Sequence, residues 1–90
     1  MRLSWTQEAN DDRRVIYDFV EADNPAAALS LDELFSECAS RLINYPYIGR
    51  VGRIETTREL VAHQNYVLIY DVVDDLVRVL RVIHAAKQWP

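Results

Sequence analysis

Hydrophobic positions follow two different rhythms along the chain. In the first half, Ala9, Val15, Ile16, Phe19 and Val20 recur at mostly helical spacing, while Asp11, Asp12, Arg13, Arg14 and Asp18 fill much of the other face. Thr6 stands where an N-cap belongs, and Glu8 in the first turn suits the positive end of the helix dipole. A second helix starts at Asn24-Pro25, a cap followed by a proline at the first helical position, where the missing N–H is harmless. Ala27, Leu31, Leu34, Cys38 and Leu42 then form one stripe at three- and four-residue steps. This helix is expected to end near Asn44, because Pro46 disfavours helical geometry at Tyr45.

The second half has a shorter period. Tyr45 to Arg53 contains both glycines, Gly49 and Gly52, and reads as a loop. Three β-rich runs follow, roughly Thr57 to Ala62, Tyr66 to Val73 and Leu76 to His84. The breaks between them, His63-Gln64-Asn65 and Asp74-Asp75, are short enough to demand antiparallel hairpins. Strict alternation in the last run would point Val77, Val79, Arg81 and Ile83 one way and Arg78, Leu80, Val82 and His84 the other. Arg2 to Trp5 is a further short alternating stretch, expected as an edge strand. The fold class is therefore α+β, within one domain spanning 1–90: a short N-terminal strand and a two-helix hairpin packed on an antiparallel sheet of three to four strands.

Ninety residues bury about 60–65% of their unfolded surface and reach a stability on the order of 5–9 kcal/mol. A chain of this size gains much from a bound partner. No apolar run approaches the roughly 18 residues of a bilayer span, and Met1 to Glu8 lacks the apolar core of a signal peptide, so a cytoplasmic protein without membrane contact is expected. The lone Cys38 forms no intrachain disulfide and agrees with a reducing compartment. A net charge of −4 argues against a main task of gripping nucleic acid by its phosphates.

The chemistry is sparse. No Gly-rich phosphate loop is present, no Cys/His spacing fits zinc, and neither cofactor nor metal is expected. His63 and His84 each fall at a strand end, where a histidine with a satisfied hydrogen bond is the commoner role. Arg50, Arg53 and Arg58 cluster, as do Arg78, Arg81 and Lys87, while carboxylates concentrate on the helices. These cations either form one basic edge suited to an acidic partner or pair with Glu55, Glu59, Asp71 and Asp74 on neighbouring strands. Trp89 is expected to anchor the segment from His84 to Pro90 against the sheet or against a partner.

Several of these stretches resemble the toxins of the RelE/ParE superfamily. The similarity runs through Leu3-Ser4-Trp5-Thr6, Tyr45-Pro46, Gly49-Arg50-Val51-Gly52-Arg53, Thr57 to Val61, Asn65 to Tyr70 and Val79 to Pro90, and so spans the whole chain. It implies a bacterial toxin of a type II toxin–antitoxin module. A cognate antitoxin would neutralise it in a heterodimer or larger hetero-oligomer, and the complex would repress its own operon with DNA contacted only through the antitoxin. Such an antitoxin is expected to lay an amphipathic helix or strand in a groove of the toxin.

The superfamily divides by target. RelE-like members cut messenger RNA on the ribosome, and ParE-like members poison DNA gyrase. The ribonucleases carry an arginine where this chain has Val67, two lysines whose places fall on Arg58 and Leu60, a basic residue matched by Lys87, and a tyrosine-bearing tail beyond the end of this sequence. RNA cleavage needs a base, an acid and cations for the phosphorane, and too few of these are present. The expected function is a non-enzymatic toxin that inhibits DNA gyrase by binding, through Arg50, Arg53, Arg58, Arg81, His84, Lys87 and Trp89. The alternative is a ribosome-dependent mRNA endoribonuclease using Arg58, His63, His84 and Lys87, with Glu59 available as an acid–base partner.

Overall fold

The computed structural model describes residues 1–87 and 89. Its elements are β1 (Arg2–Trp5), α1 (Gln7–Glu21), α2 (Pro25–Asn44), β2 (Arg50–Val51), β3 (Thr57–His63), β4 (Tyr66–Val73) and β5 (Leu76–His84). Both helix starts are capped as their sequences demand. The Thr6 hydroxyl accepts from the Ala9 N–H at 3.1 Å, and the Asn24 side chain accepts from the Ala27 N–H at 3.1 Å. Thr6 also donates to the Leu80 carbonyl at 2.8 Å, which ties the start of α1 to β5.

The five strands form one sheet in the order β1-β5-β4-β3-β2. The sheet is mixed, which corrects the expectation of a purely antiparallel sheet of three to four strands: β1 runs parallel to β5, with Arg2 opposite Leu76 and Trp5 opposite Val79. A fifth strand lies in the stretch expected to be loop throughout, where Arg50 and Val51 pair with Glu59 and Arg58. Two residues of strand are too short to leave a periodic signal.

Cross-strand partners share a face of the sheet, so the register assigns sides. Leu68 and Val82 are partners, as are Tyr70 and Val79, and Val72 and Val77; this face packs on Phe35, Cys38, Ala39 and Leu42 of α2 and on Ala9 of α1. Between Ile69 opposite Arg81 and Tyr70 opposite Val79, β5 contains Leu80 as an extra residue. This bulge reverses the alternation expected of the last run. Arg78, Arg81 and Ile83 consequently share the outer face, and Val77, Val79, Val82 and His84 face the helices.

The helical stripes are also shifted. On α1, Val15 and Phe19 are 64% and 78% exposed, while Asp12 and Arg13 turn inward. On α2, the buried set is Ala28, Phe35, Cys38, Ala39 and Leu42, and Ala27 faces solvent. Trp89 packs on the outer face against Val67, Ile69 and Ile83. Gln88 and Pro90, which belong to the 84–90 segment that Trp89 was expected to anchor, lie outside the described residues.

One polar contact fixes the loop that leads into β2. The Tyr70 side chain is fully buried, and its hydroxyl donates to the Pro46 carbonyl at 2.8 Å and accepts from the Gly49 N–H at 3.0 Å. A β-carbon at Gly49 would stand 2.7 Å from that hydroxyl and 2.8 Å from the Glu59 carbonyl oxygen, so no other residue fits without displacement. Among the described residues, no helix is long and apolar enough to cross a membrane.

Candidate functional site

The candidate residues divide between the two faces of the sheet. His63 and His84 both pair with Tyr66, on either side of it, which places all three on the helix-facing side at one end of the sheet. The ring centroids of His63 and His84 lie 6.2 Å and 5.4 Å from that of Tyr66. With Phe19, Val20, Ala27 and Leu31 from the helical hairpin they line a cavity of about 510 Å³. The Nδ1 atom of His63 accepts from the Asn65 N–H, and that of His84 from the Ala86 N–H, each at 3.1 Å. An accepting Nδ1 requires the neutral ring to carry its proton on Nε2.

Arg58 is also on the helix-facing side but far from the histidines. It pairs with Tyr70, four residues along β4 from Tyr66, a separation of about 13 Å. Its guanidinium donates to the Tyr47 and Gly49 carbonyls at 3.2 Å and 2.9 Å and lies 5.1 Å from the Tyr47 ring centre. The alternative catalytic set of Arg58, His63, His84 and Lys87 is therefore not gathered in one cleft.

On the outer face, Arg50 binds Glu59 at 2.9 Å, and Arg78 makes a two-pronged contact with the buried Asp71. These are the cross-strand pairs anticipated for Glu59 and Asp71; among the described residues, Glu55 and Asp74 form none. Arg81 instead reaches round the edge of β5 to Asp12 of α1, with contacts of 2.7 Å and 3.0 Å, and lies 5.3 Å from the Trp89 ring centre. The hydrogen bonds to Asp12 raise its already high pKa further, so its charge is fixed. Asp12 accepts the Val82 N–H as well, at 2.9 Å, which closes the edge of β5 where β1 no longer covers it.

Asp12 and the exposed Val15 and Phe19 are the site residues that sequence reasoning missed. Together with Ile16, Tyr66, Val82, His84 and Lys87 they border a groove of about 320 Å³ between α1 and the end of β5. Lys87 also lines a small cavity on the outer face with Arg50, Arg53, Glu59 and Trp89. The apolar exposure along α1 would have been the available signal: it is a helix with hydrophobic residues on more than one face.

This arrangement of two helices over a five-stranded mixed sheet is found in known proteins. The toxin chain of the chromosomal ParDE toxin–antitoxin system from P. aeruginosa superposes with a TM-score of 0.83 at 24% identity, covering 93% of this chain and 95% of that one. In sequence, the protein Y4kP of Sinorhizobium fredii is 39% identical over 90 residues, covering 99% of this chain and 93% of its own length. Toxin RelE2 of Caulobacter vibrioides is 37% identical over 86 residues, covering 96% of this chain and 97% of its own. The profile of the family described as ParE toxin of type II toxin–antitoxin system, parDE, matches residues 3–89. The resemblance read from the loop and strand motifs thus holds across nearly the whole length, and the chain belongs to the ParE family of type II toxin–antitoxin toxins.

Proposed function

We propose that this toxin acts in the cytoplasm by binding DNA gyrase, without cutting RNA, and that its antitoxin neutralises it by laying the apolar side of an amphipathic helix in the groove between α1 and β5. The observation that carries the first part is the engagement of the guanidiniums. Arg58 is held by two backbone carbonyls, Arg50 by Glu59, Arg78 by Asp71 and Arg81 by Asp12. Phosphorane charge is stabilised by cations already aimed at it; of these four only Arg81 borders a groove with His84, and there it is committed to Asp12. The second part is supported by Val15 and Phe19, two large apolar side chains left in water along the groove, which suit an amphipathic helix.

The ribonuclease reading keeps one observation in its favour, the gathering of His63, Tyr66 and His84 around a single cavity. The two readings separate in a purified system. Gyrase supercoiling of relaxed plasmid is run with ATP and increasing toxin, beside a ribosome-bound messenger cleavage assay. Loss of supercoiling or trapped cleaved plasmid, with intact messenger, is expected. Cut messenger with gyrase unaffected would overturn the proposal and make His63 and His84 the residues to substitute.

A further inference from the structure

The small cavity on the outer face of the sheet is unusual in charge and in hydrogen bonding. It is lined by Arg50, Arg53, Lys87 and Trp89 together with Glu59 and three small or branched apolar residues, and its volume is about 70 Å³. Of its charged groups, Glu59 is already bound by Arg50. Arg53 and Lys87 form no ion pair among the described residues. The Trp89 Nε1–H is buried and has no hydrogen-bond partner among the described residues. Its ring is held in place by Val67, Ile69 and Ile83 on one side and by the Arg81 guanidinium. An indole N–H can only donate, and buried donors in native proteins are normally satisfied.

Among the described residues, two cations without an ion pair and one buried donor without a partner surround this cavity, and together they suit an acceptor with negative charge. The space is large enough for an oxyanion group. We propose that this cavity is an oxyanion site that receives a single carboxylate from an acidic segment of a protein partner. A phosphate of nucleic acid has the same local chemistry but brings further phosphates with it, and these need a track of cations. The next guanidiniums on this face, Arg78 and Arg81, are occupied by Asp71 and Asp12, and the chain as a whole carries a charge of −4. A single carboxylate needs no such track. The site requires a protein partner but neither gyrase nor the ribosome, so it stands or falls separately from the target proposed above.

The test is an NMR titration of the full-length ¹⁵N-labelled toxin with N-acetyl-tetraglutamate amide. The indole N–H signals of Trp5 and Trp89 are told apart with Trp89→Phe, and Trp5 reports that each variant is folded. The Trp89 signal should move downfield and saturate with the tetraglutamate peptide, and stay still with the tetraglutamine analogue. Arg53→Gln and Lys87→Gln should each weaken binding about tenfold, whereas Arg14→Gln, on the far side of α1, should leave it unchanged. No saturable shift at Trp89, or equal binding by an Arg53→Gln/Lys87→Gln double variant, would overturn the site. Tighter binding of an oligothymidylate of equal charge would overturn the carboxylate assignment in favour of phosphate. A negative gyrase assay alongside a saturating Trp89 shift would remove the target and leave this site intact.

Discussion

Replacing Tyr70 with phenylalanine removes one oxygen and leaves the packing of the ring unchanged, so its effect measures the hydroxyl alone. In the wild type that hydroxyl is fully buried, donates to the Pro46 carbonyl and accepts from the Gly49 N–H. The variant leaves the Gly49 N–H buried without a partner, at about 1–3 kcal/mol, and loses the bond to Pro46, at about 0.5–1.5 kcal/mol. A total near 2–3 kcal/mol is a large part of the stability of so small a chain, and corresponds to a fall in Tm of roughly 10–20 °C. Urea and thermal unfolding followed by circular dichroism give both numbers. Alkaline pH supplies a second readout. Burial raises the Tyr70 phenol above its usual pKa of 10.0, although the Gly49 N–H bond and Arg58 offset part of the rise. A raised folded-state pKa contributes stability below the unfolded value and loses it as pH climbs through the folded one. The gap between wild type and Tyr70→Phe should accordingly be constant below about pH 9 and shrink above pH 10. A stability loss under 0.5 kcal/mol, or a gap that widens with pH, would refute the claim that this hydroxyl holds the loop that carries Arg50 and Arg53.

Two further changes follow from the same geometry. Asp12→Ala deprives the part-buried Arg81 of both contacts and leaves the Val82 N–H at the strand edge unpaired, so a loss of about 2–3 kcal/mol is expected in urea unfolding; a loss below 0.5 kcal/mol would mean that α1 does not seal this edge. Thr56 sits at φ 72, where a β-branched side chain is strained, and Thr56→Asn should raise stability by about 0.5–1 kcal/mol; a Tm at or below that of the wild type would contradict the strain.

Much of this architecture was legible because local chemistry and tertiary packing agree. Asn24-Pro25 and Pro46 bracket α2 as written, and the two-residue break at Asp74-Asp75 forces the β4–β5 hairpin, with Asp74 at φ 55 as its turn. The bulge at Leu80 was not legible. No glycine marks it, and it is imposed by Thr6 and Asp12 gripping the far edge of β5. Asp12 itself reads as a solvent-facing charge, because its partner Arg81 is distant in sequence and helical periodicity records only neighbours. For the same reason Arg58 reads as a free cation, although the carbonyls of a loop with no periodic signal surround it. Trp89, expected to anchor against the sheet or against a partner, packs on the sheet; its buried indole donor beside Arg53 and Lys87 depends on contacts distant in sequence, which no periodicity records.

The parallel pairing of β1 with β5 also orders events in time. Arg2 to Trp5 are the first residues of the sheet to leave the ribosome, yet their hydrogen-bonding partners, Leu76 to Val79, are among the last. The β3–β4–β5 meander and the helical hairpin are built from near neighbours and can form early, whereas closing the N-terminal strand onto them carries the entropy of the longest loop in the molecule. Until β1 pairs with β5, Leu3 and Trp5 lack their packing, α1 lacks its tie at Thr6, and the groove between α1 and β5 lacks a fixed wall. Pairing of β1 with β5 thus completes the sheet and the groove beside it in one step, so the binding surface depends on contacts between the two ends of the fold.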